Sequence, residues 1–123
     1  MIEAAMIWNE PNNKSHWDPE LDPGWAAYGE CVIRAGRAIA AVNPAVTRVL
    51  GGMSPIDPLW LRQMQAHGAL DHVEAVAVHG FPLDWNLWQI GEWPAKVAEI
   101  EAVTDKPVWV TEVGASSFGA DEI

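Results

Sequence analysis

A chain of 123 residues, half of them hydrophobic and a fifth charged, has the length of one ordinary domain and is too apolar to stay disordered. Seventeen Asp and Glu against seven Lys and Arg give a formal charge of -10, a field that repels phosphate backbones and anionic membranes alike. Nucleic acid and membrane are therefore not expected as partners, and no apolar run approaches the ~20 residues of a spanning helix. The single cysteine, Cys31, cannot form an internal disulfide and falls in an apolar helical stretch as a small buried hydrophobe. No cationic segment leads into an apolar run at the N-terminus, so the expectation is a cytoplasmic chain without a signal peptide.

The first element is the apolar run 4–8, stopped by the turn-forming Asn9-Glu10-Pro11-Asn12-Asn13, which reads as a buried strand. Residues 12–24, rich in Pro, Asn and Asp, read as a surface loop. Asp22-Pro23 then predicts a helix start, Asp as N-cap and Pro at the first helical position. Trp25, Tyr28, Val32, Ala35, Ile39 and Val42 follow at spacings of three and four, one apolar stripe that Asn43-Pro44 ends. A second strand is predicted at 47–51. Asp57-Pro58 repeats the helix signal, with Leu61, Met64 and Gln65 leading to a stop near Gly68. The third strand is 73–79. A loop from Gly80 to Glu92 carries Phe81, Trp85 and Trp88 before Trp93-Pro94 opens a third helix with Val97, Ile100 and Val103 on one face. Val108–Thr111 is the fourth strand, followed by a Gly- and Ser-rich tail from Gly114. The order β-α-β-α-β-α-β without a hairpin signal is α/β with parallel strands joined by helical crossovers.

The strands carry their reactive side chains at their C-terminal ends: Glu10 after the first, His79 on the third, Glu112 after the fourth. Parallel α/β folds bind ligands at those ends, so all three face one mouth. Two carboxylates on one pocket suit acid and nucleophile chemistry on a glycosidic bond. Trp8, Trp17, Phe81, Trp85, Trp88 and Trp109 offer apolar faces for sugar rings, although Trp109 in mid-strand reads as a packing residue. Trp25, Trp60 and Trp93 on helices read as core, and His16, His67 and His72, without metal-ligand spacing, as surface. No spacing suggests a bound metal or other cofactor. His79 reads equally as a pocket residue or a hydrogen-bonded core residue.

Trp8-Asn9-Glu10-Pro11-Asn12 at one strand end and Val110-Thr111-Glu112-Val113-Gly114 at a later one resemble clan A of the glycoside hydrolases, within it the β-xylosidase-like families. The resemblance implies a (β/α)8 TIM barrel, of which this chain is a partial barrel corresponding to strands four to seven, with His79-Gly80-Phe81-Pro82 ending the sixth. It implies Glu10 as acid/base, Glu112 as nucleophile, Asn9 on the sugar 2-hydroxyl and His79 lining the site. Trp8, Trp85 and Trp88 complete the expected substrate-binding set, with an oligosaccharide or glycoside as substrate. Three strands of flat sheet would separate the glutamates by ~14 Å, whereas curling aims both side chains across the mouth, where a retaining separation of ~5–5.5 Å becomes reachable. Ionised Glu112 disfavours a second charge nearby and keeps Glu10 protonated as the acid.

A barrel of this kind takes ~250 residues, and residues 1–123 supply one partial catalytic domain lacking the N-terminal strands and the last. Three arrangements follow: a longer protein, a homodimer closing a barrel from two halves, or an open α/β layer whose carboxylates do not cooperate. The rival to hydrolysis is a carbohydrate-binding or inactive barrel fragment that holds sugar on Trp85 and Trp88.

Overall fold

The computed structural model describes residues 1–115, so the tail predicted from Gly114 lies almost wholly outside the described residues. Four strands, β1 (Ala4–Ile7), β2 (Thr47–Met53), β3 (Ala75–Gly80) and β4 (Val108–Val113), form one sheet in the order β1-β2-β3-β4, each neighbouring pair parallel. Helices α1 (Ala26–Val42), α2 (Pro58–Ala66) and α3 (Trp93–Glu101) make the crossovers. The element order is the one read from the sequence, and the strand ends shift: β2 and β4 each continue two residues further, through Gly52-Met53 and Glu112-Val113.

The two Asp-Pro signals act differently. Asp57 caps α2 directly, its carboxylate accepting the N–H groups of Leu59 and Trp60 with Pro58 in the first turn. Asp22 instead precedes a single 3-10 turn, Pro23–Trp25, in which Gly24 and Trp25 are left-handed. Its carboxylate reaches past that turn to the N–H groups of Ala27 and Tyr28, so α1 starts at Ala26, three residues later than the Pro signal predicts. Trp25 therefore lies ahead of the helix. At the other end of the predicted stripe Val42 is solvent-exposed, on an open apolar cavity that it lines with Ile2, Ala5, Ile39 and Val46 beside the edge strand β1.

The core lies between the helices and one face of the sheet. Tyr28, Val32, Trp60, Leu61, Met64 and Ile100 cover Leu50, Met53, Val76 and Val78. Burial of each large side chain contributes about 1.5–3 kcal/mol. The Tyr28 hydroxyl donates to the Ile7 carbonyl (3.0 Å), tying α1 to the end of β1, and burial pushes that hydroxyl's pKa far above its ordinary value. At the opposite end of the sheet Arg48 pairs with Glu74 and donates to the Gly36 carbonyl, and this guanidinium holds the Glu74 carboxyl below the usual carboxylate range.

The other face is concave and carries the small cluster Val49, Ala75 and Ala77, in register with Met6 and Trp109, both partly exposed. The Thr111 hydroxyl on β4 lies 3.8 Å from Met6 Sδ on β1, three strands away, so the sheet is strongly curled. Two irregularities sharpen the curl. On β2, Gly51 and Gly52 stand against the single residue Ala77, and on β4, Thr111 is extra between the pairs Val78–Val110 and His79–Glu112.

Candidate active site

Glu10 sits in a tight turn after β1 in which both Trp8 and Glu10 have left-handed backbone, φ 71° and 46°. Such conformations cost about 1–3 kcal/mol each for bulky residues and persist only where surrounding contacts hold them. Here the contacts are explicit. The Asn12 amide donates to the Pro55 carbonyl (2.7 Å) while its oxygen accepts the Ser54 N–H (2.8 Å), stitching this loop to the one after β2. The Trp25 indole donates to the Pro11 carbonyl (2.7 Å), and the Ile7 and Trp8 carbonyls press so closely on Gly51 that no side chain fits there.

The outcome is a buried Glu10, 8% exposed, with both oxygens engaged. Oε1 lies 3.0 Å from His79 Nδ1, and Oε2 accepts from the Asn13 amide at 2.9 Å. Asn13 returns to Glu10 because its own N–H closes a turn on the Glu10 carbonyl. His16 Nδ1 stands 3.6 Å from Oε2 and 2.9 Å from Ser15 Oγ. His79 is fully buried, its Nδ1 also 3.6 Å from Glu112 Oε2 and its Nε2 3.0 Å from Thr111 Oγ1. One donor atom from each of Glu10, His79 and Glu112 lies within 4.8 Å of the others. Such a set is of the kind that divalent cations accept, but the His79–Glu10 hydrogen bond already accounts for the approach of two of its three members.

A cavity of about 310 Å³ opens on this group, lined by Asn9, Glu10, Asn13, Ser15, His16, Phe81, Trp85 and Glu112. The Glu112 side chain, 46% exposed, is the open side of the pair. Of the residues singled out in the sequence, Asn9, Glu10, Phe81, Trp85 and Glu112 therefore meet at one cavity, with His79 buried beneath it. Trp8 stands apart from the lining: its indole donates to the His16 carbonyl (3.2 Å) and meets Trp17 edge to face. Trp88 packs edge to face on Trp93, ring centroids 5.0 Å apart, over Gly80, and does not line the cavity. The residues that the sequence did not single out are Asn13, Ser15, Thr111 and His16, the last read as surface. Asn three residues after Glu10 in a turn is the signal that could have found the first.

Among solved structures the chain is similar to a monomeric β-xylosidase from Caulobacter crescentus CB15, at 24% identity and a TM-score of 0.59 over 88% of this chain. It is also similar to the GH39 enzyme from Xanthomonas axonopodis pv. citri, at 23% identity and a TM-score of 0.64 over 90%. It spans 25% of the length of each. The shared fold makes the four-stranded unit part of a (β/α)8 barrel. No curated protein matches the chain by sequence. The model of the glycosyl hydrolase catalytic core matches all of residues 1–123, and the chain belongs to that family.

Proposed function

We propose that this chain carries the catalytic pair of a retaining O-glycoside hydrolase of clan A type, acting on β-xylosides or closely related glycosides. The observation that carries the reading is the approach of Glu10 and Glu112, with one oxygen of each within 4.8 Å. Retaining enzymes hold their carboxyl groups ~5–5.5 Å apart, whereas inverting enzymes need ~6.5–9.5 Å to admit water between them. The xyloside preference rests on the likeness to the Caulobacter β-xylosidase alone.

In this reading the Glu112 carboxylate attacks the anomeric carbon as the bond to the leaving oxygen breaks, and Glu10 gives that oxygen its proton. The product is a glycosyl ester on Glu112 with Glu10 ionised. Water then attacks the anomeric carbon, Glu10 takes its proton, and the ester bond breaks to restore both carboxyl groups with the configuration retained. Glu112 is the nucleophile because it is the exposed member. Glu10, buried and hydrogen-bonded on both oxygens, is the oriented acid/base. Asn9 at the cavity wall serves the sugar 2-hydroxyl, and Trp85 offers its face to the ring. The chain works within a closed barrel, the further strands joining at the open edges of β1 and β4.

The test is a 2-deoxy-2-fluoro-xyloside with a good leaving group. The expected result is a mass increase of one fluoroxylosyl unit on the peptide containing Glu112, with β-xylose as first product from an ordinary substrate. An adduct on another residue, or α-xylose first, would falsify the assignment. A second reading, sugar binding without hydrolysis, draws on the open concave face. Quenching of tryptophan fluorescence by oligosaccharides with no product after long incubation would favour it.

A further inference from the structure

Among the described residues His79 is the one group placed against both glutamates, and its protonation pattern decides whether it helps or competes with them. Its Nδ1 faces two carboxylate oxygens, Glu10 Oε1 at 3.0 Å and Glu112 Oε2 at 3.6 Å. A bare Nδ1 would oppose the ionised Glu112 oxygen and would draw off the proton that the acid Glu10 must keep for the leaving group, so in the retaining reading Nδ1 carries a proton. A neutral imidazole has only one, which leaves Nε2 as a bare acceptor buried in the protein. The neighbour able to satisfy it is the Thr111 hydroxyl at 3.0 Å. Among the described residues that hydroxyl has one other acceptor in reach, Met6 Sδ at 3.8 Å, a far weaker one.

We propose that Thr111 is a positioning residue: its hydroxyl donates to His79 Nε2 and so holds the ring with its single proton on Nδ1, between the two glutamates. The inference rests on the retaining reading above. In this tautomer His79 donates to Glu10 Oε1, keeps its N–H toward Glu112 Oε2 3.6 Å away, and cannot take the proton that Glu10 must deliver to the leaving group. Two features of the sheet serve the arrangement. In a regular strand Thr111 and Glu112 would point to opposite faces, but the extra residue in β4 brings both to His79. On the neighbouring strand, Gly52 has no side chain where one would overlap the imidazole.

The experiment is two-bond proton–nitrogen correlation spectroscopy of the protein labelled with 15N-histidine, the His79 signals assigned with His79→Gln. The expected spectrum shows a protonated Nδ1 and an unprotonated, hydrogen-bonded Nε2. In Thr111→Val the Nε2 signal moves further toward the free-imine end, and Thr111→Ser returns it. With a xyloside substrate, kcat of Thr111→Val falls about tenfold with KM nearly unchanged, the loss of about one hydrogen bond's 1.4 kcal/mol, and Thr111→Ser recovers most of it. A proton on Nε2, protons on both nitrogens, or an Nε2 signal unmoved in Thr111→Val overturns the proposal. The spectra need no substrate, so an inactive wild type would sink the catalytic reading while the tautomer is still read, and Thr111→Ser gives an answer should Thr111→Val fail to fold.

Discussion

Gly52 on β2 and His79 on β3 occupy the same space: a Cβ built on Gly52 falls within the His79 imidazole. The ring can be fully buried between the glutamates only because the neighbouring strand has a glycine at that level. Gly52→Ala is therefore expected to displace His79 and with it the contacts to Glu10, Glu112 and Thr111. Overpacking of this kind costs about 1–3 kcal/mol of stability, and misplacement of the reacting groups by an ångström costs about a hundredfold in kcat. Thermal melting and xyloside turnover of the variant check both. Full activity in a stable Gly52→Ala protein would show that the imidazole is not needed where it stands.

The two glutamates are separable by azide. In Glu10→Ala the glycosyl ester still forms from a substrate with a good leaving group, and azide attacks it, so the expected product is the β-glycosyl azide. In Glu112→Ala azide takes the place of the missing carboxylate on the α face, and the α-azide is expected. Without azide each variant should lose activity, at Glu10 by about 10²–10⁴-fold, the usual contribution of a general acid/base. The anomeric configuration by proton NMR decides, and the same azide from both variants would remove the distinction between the roles.

The parts of this fold that were legible in the sequence are those set by local chemistry. Apolar runs bounded by Asn, Pro and Asp marked every strand of the sheet, and Asp57-Pro58 marked the start of α2 at the right residue. Glu10, His79 and Glu112 could be gathered because parallel strands present their C-terminal ends together. What escaped depends on departures from regular periodicity. Alternation assigns Thr111 and Glu112 to opposite faces, and only the extra residue in β4 unites them. Trp8 and Glu10 adopt left-handed backbone that neither residue type favours, held by contacts of their loop with Trp25, Gly51, Ser54 and Pro55 far along the chain. The stripe on α1 departs from expectation at both ends, at Trp25 because the left-handed turn delays the helix and at Val42 because the cavity it lines beside the edge strand β1 is open.

Asp22 makes stability depend on pH. Burial works to raise its carboxyl, but the N–H groups of Ala27 and Tyr28 and the Trp17 indole outweigh that and hold it below the ordinary aspartate value. A carboxyl that titrates lower when folded stabilises fully above its unfolded value, ~3.9, and the stabilisation fades as pH falls through the folded one. Asp22→Ala should thus cost about 1 kcal/mol near neutral pH, as the loss of a helix cap does, with the gap to wild type narrowing below about pH 4. Urea denaturation on both sides of that value checks it. A constant gap would mean that the charge on Asp22 contributes nothing and only its packing counts.

Trp85 and Trp88 are three residues apart in one loop, and the structure gives them different tasks. Trp85 is 79% exposed and lines the cavity beside Glu112, whereas Trp88 is half-buried against Trp93 over Gly80. An exposed ring that stacks on substrate contributes to binding before and during reaction alike. Trp85→Ala should therefore raise KM about fivefold, for ~1 kcal/mol of lost contact, with kcat and melting temperature nearly unchanged. Trp88→Ala should instead destabilise the protein by about 2 kcal/mol, less than the ~3–5 kcal/mol of a fully buried aromatic, and affect KM only as far as the loop loosens. The loop makes the contrast a fair one, since the Phe81 N–H donates to Asn86 Oδ1 and the Leu83 N–H to the Trp88 carbonyl, holding both tryptophans on one framework. Steady-state kinetics beside thermal melts separates the two residues, and a Trp85→Ala variant that melts early with unchanged KM would assign its ring to packing and leave Phe81 as the aromatic wall of the cavity.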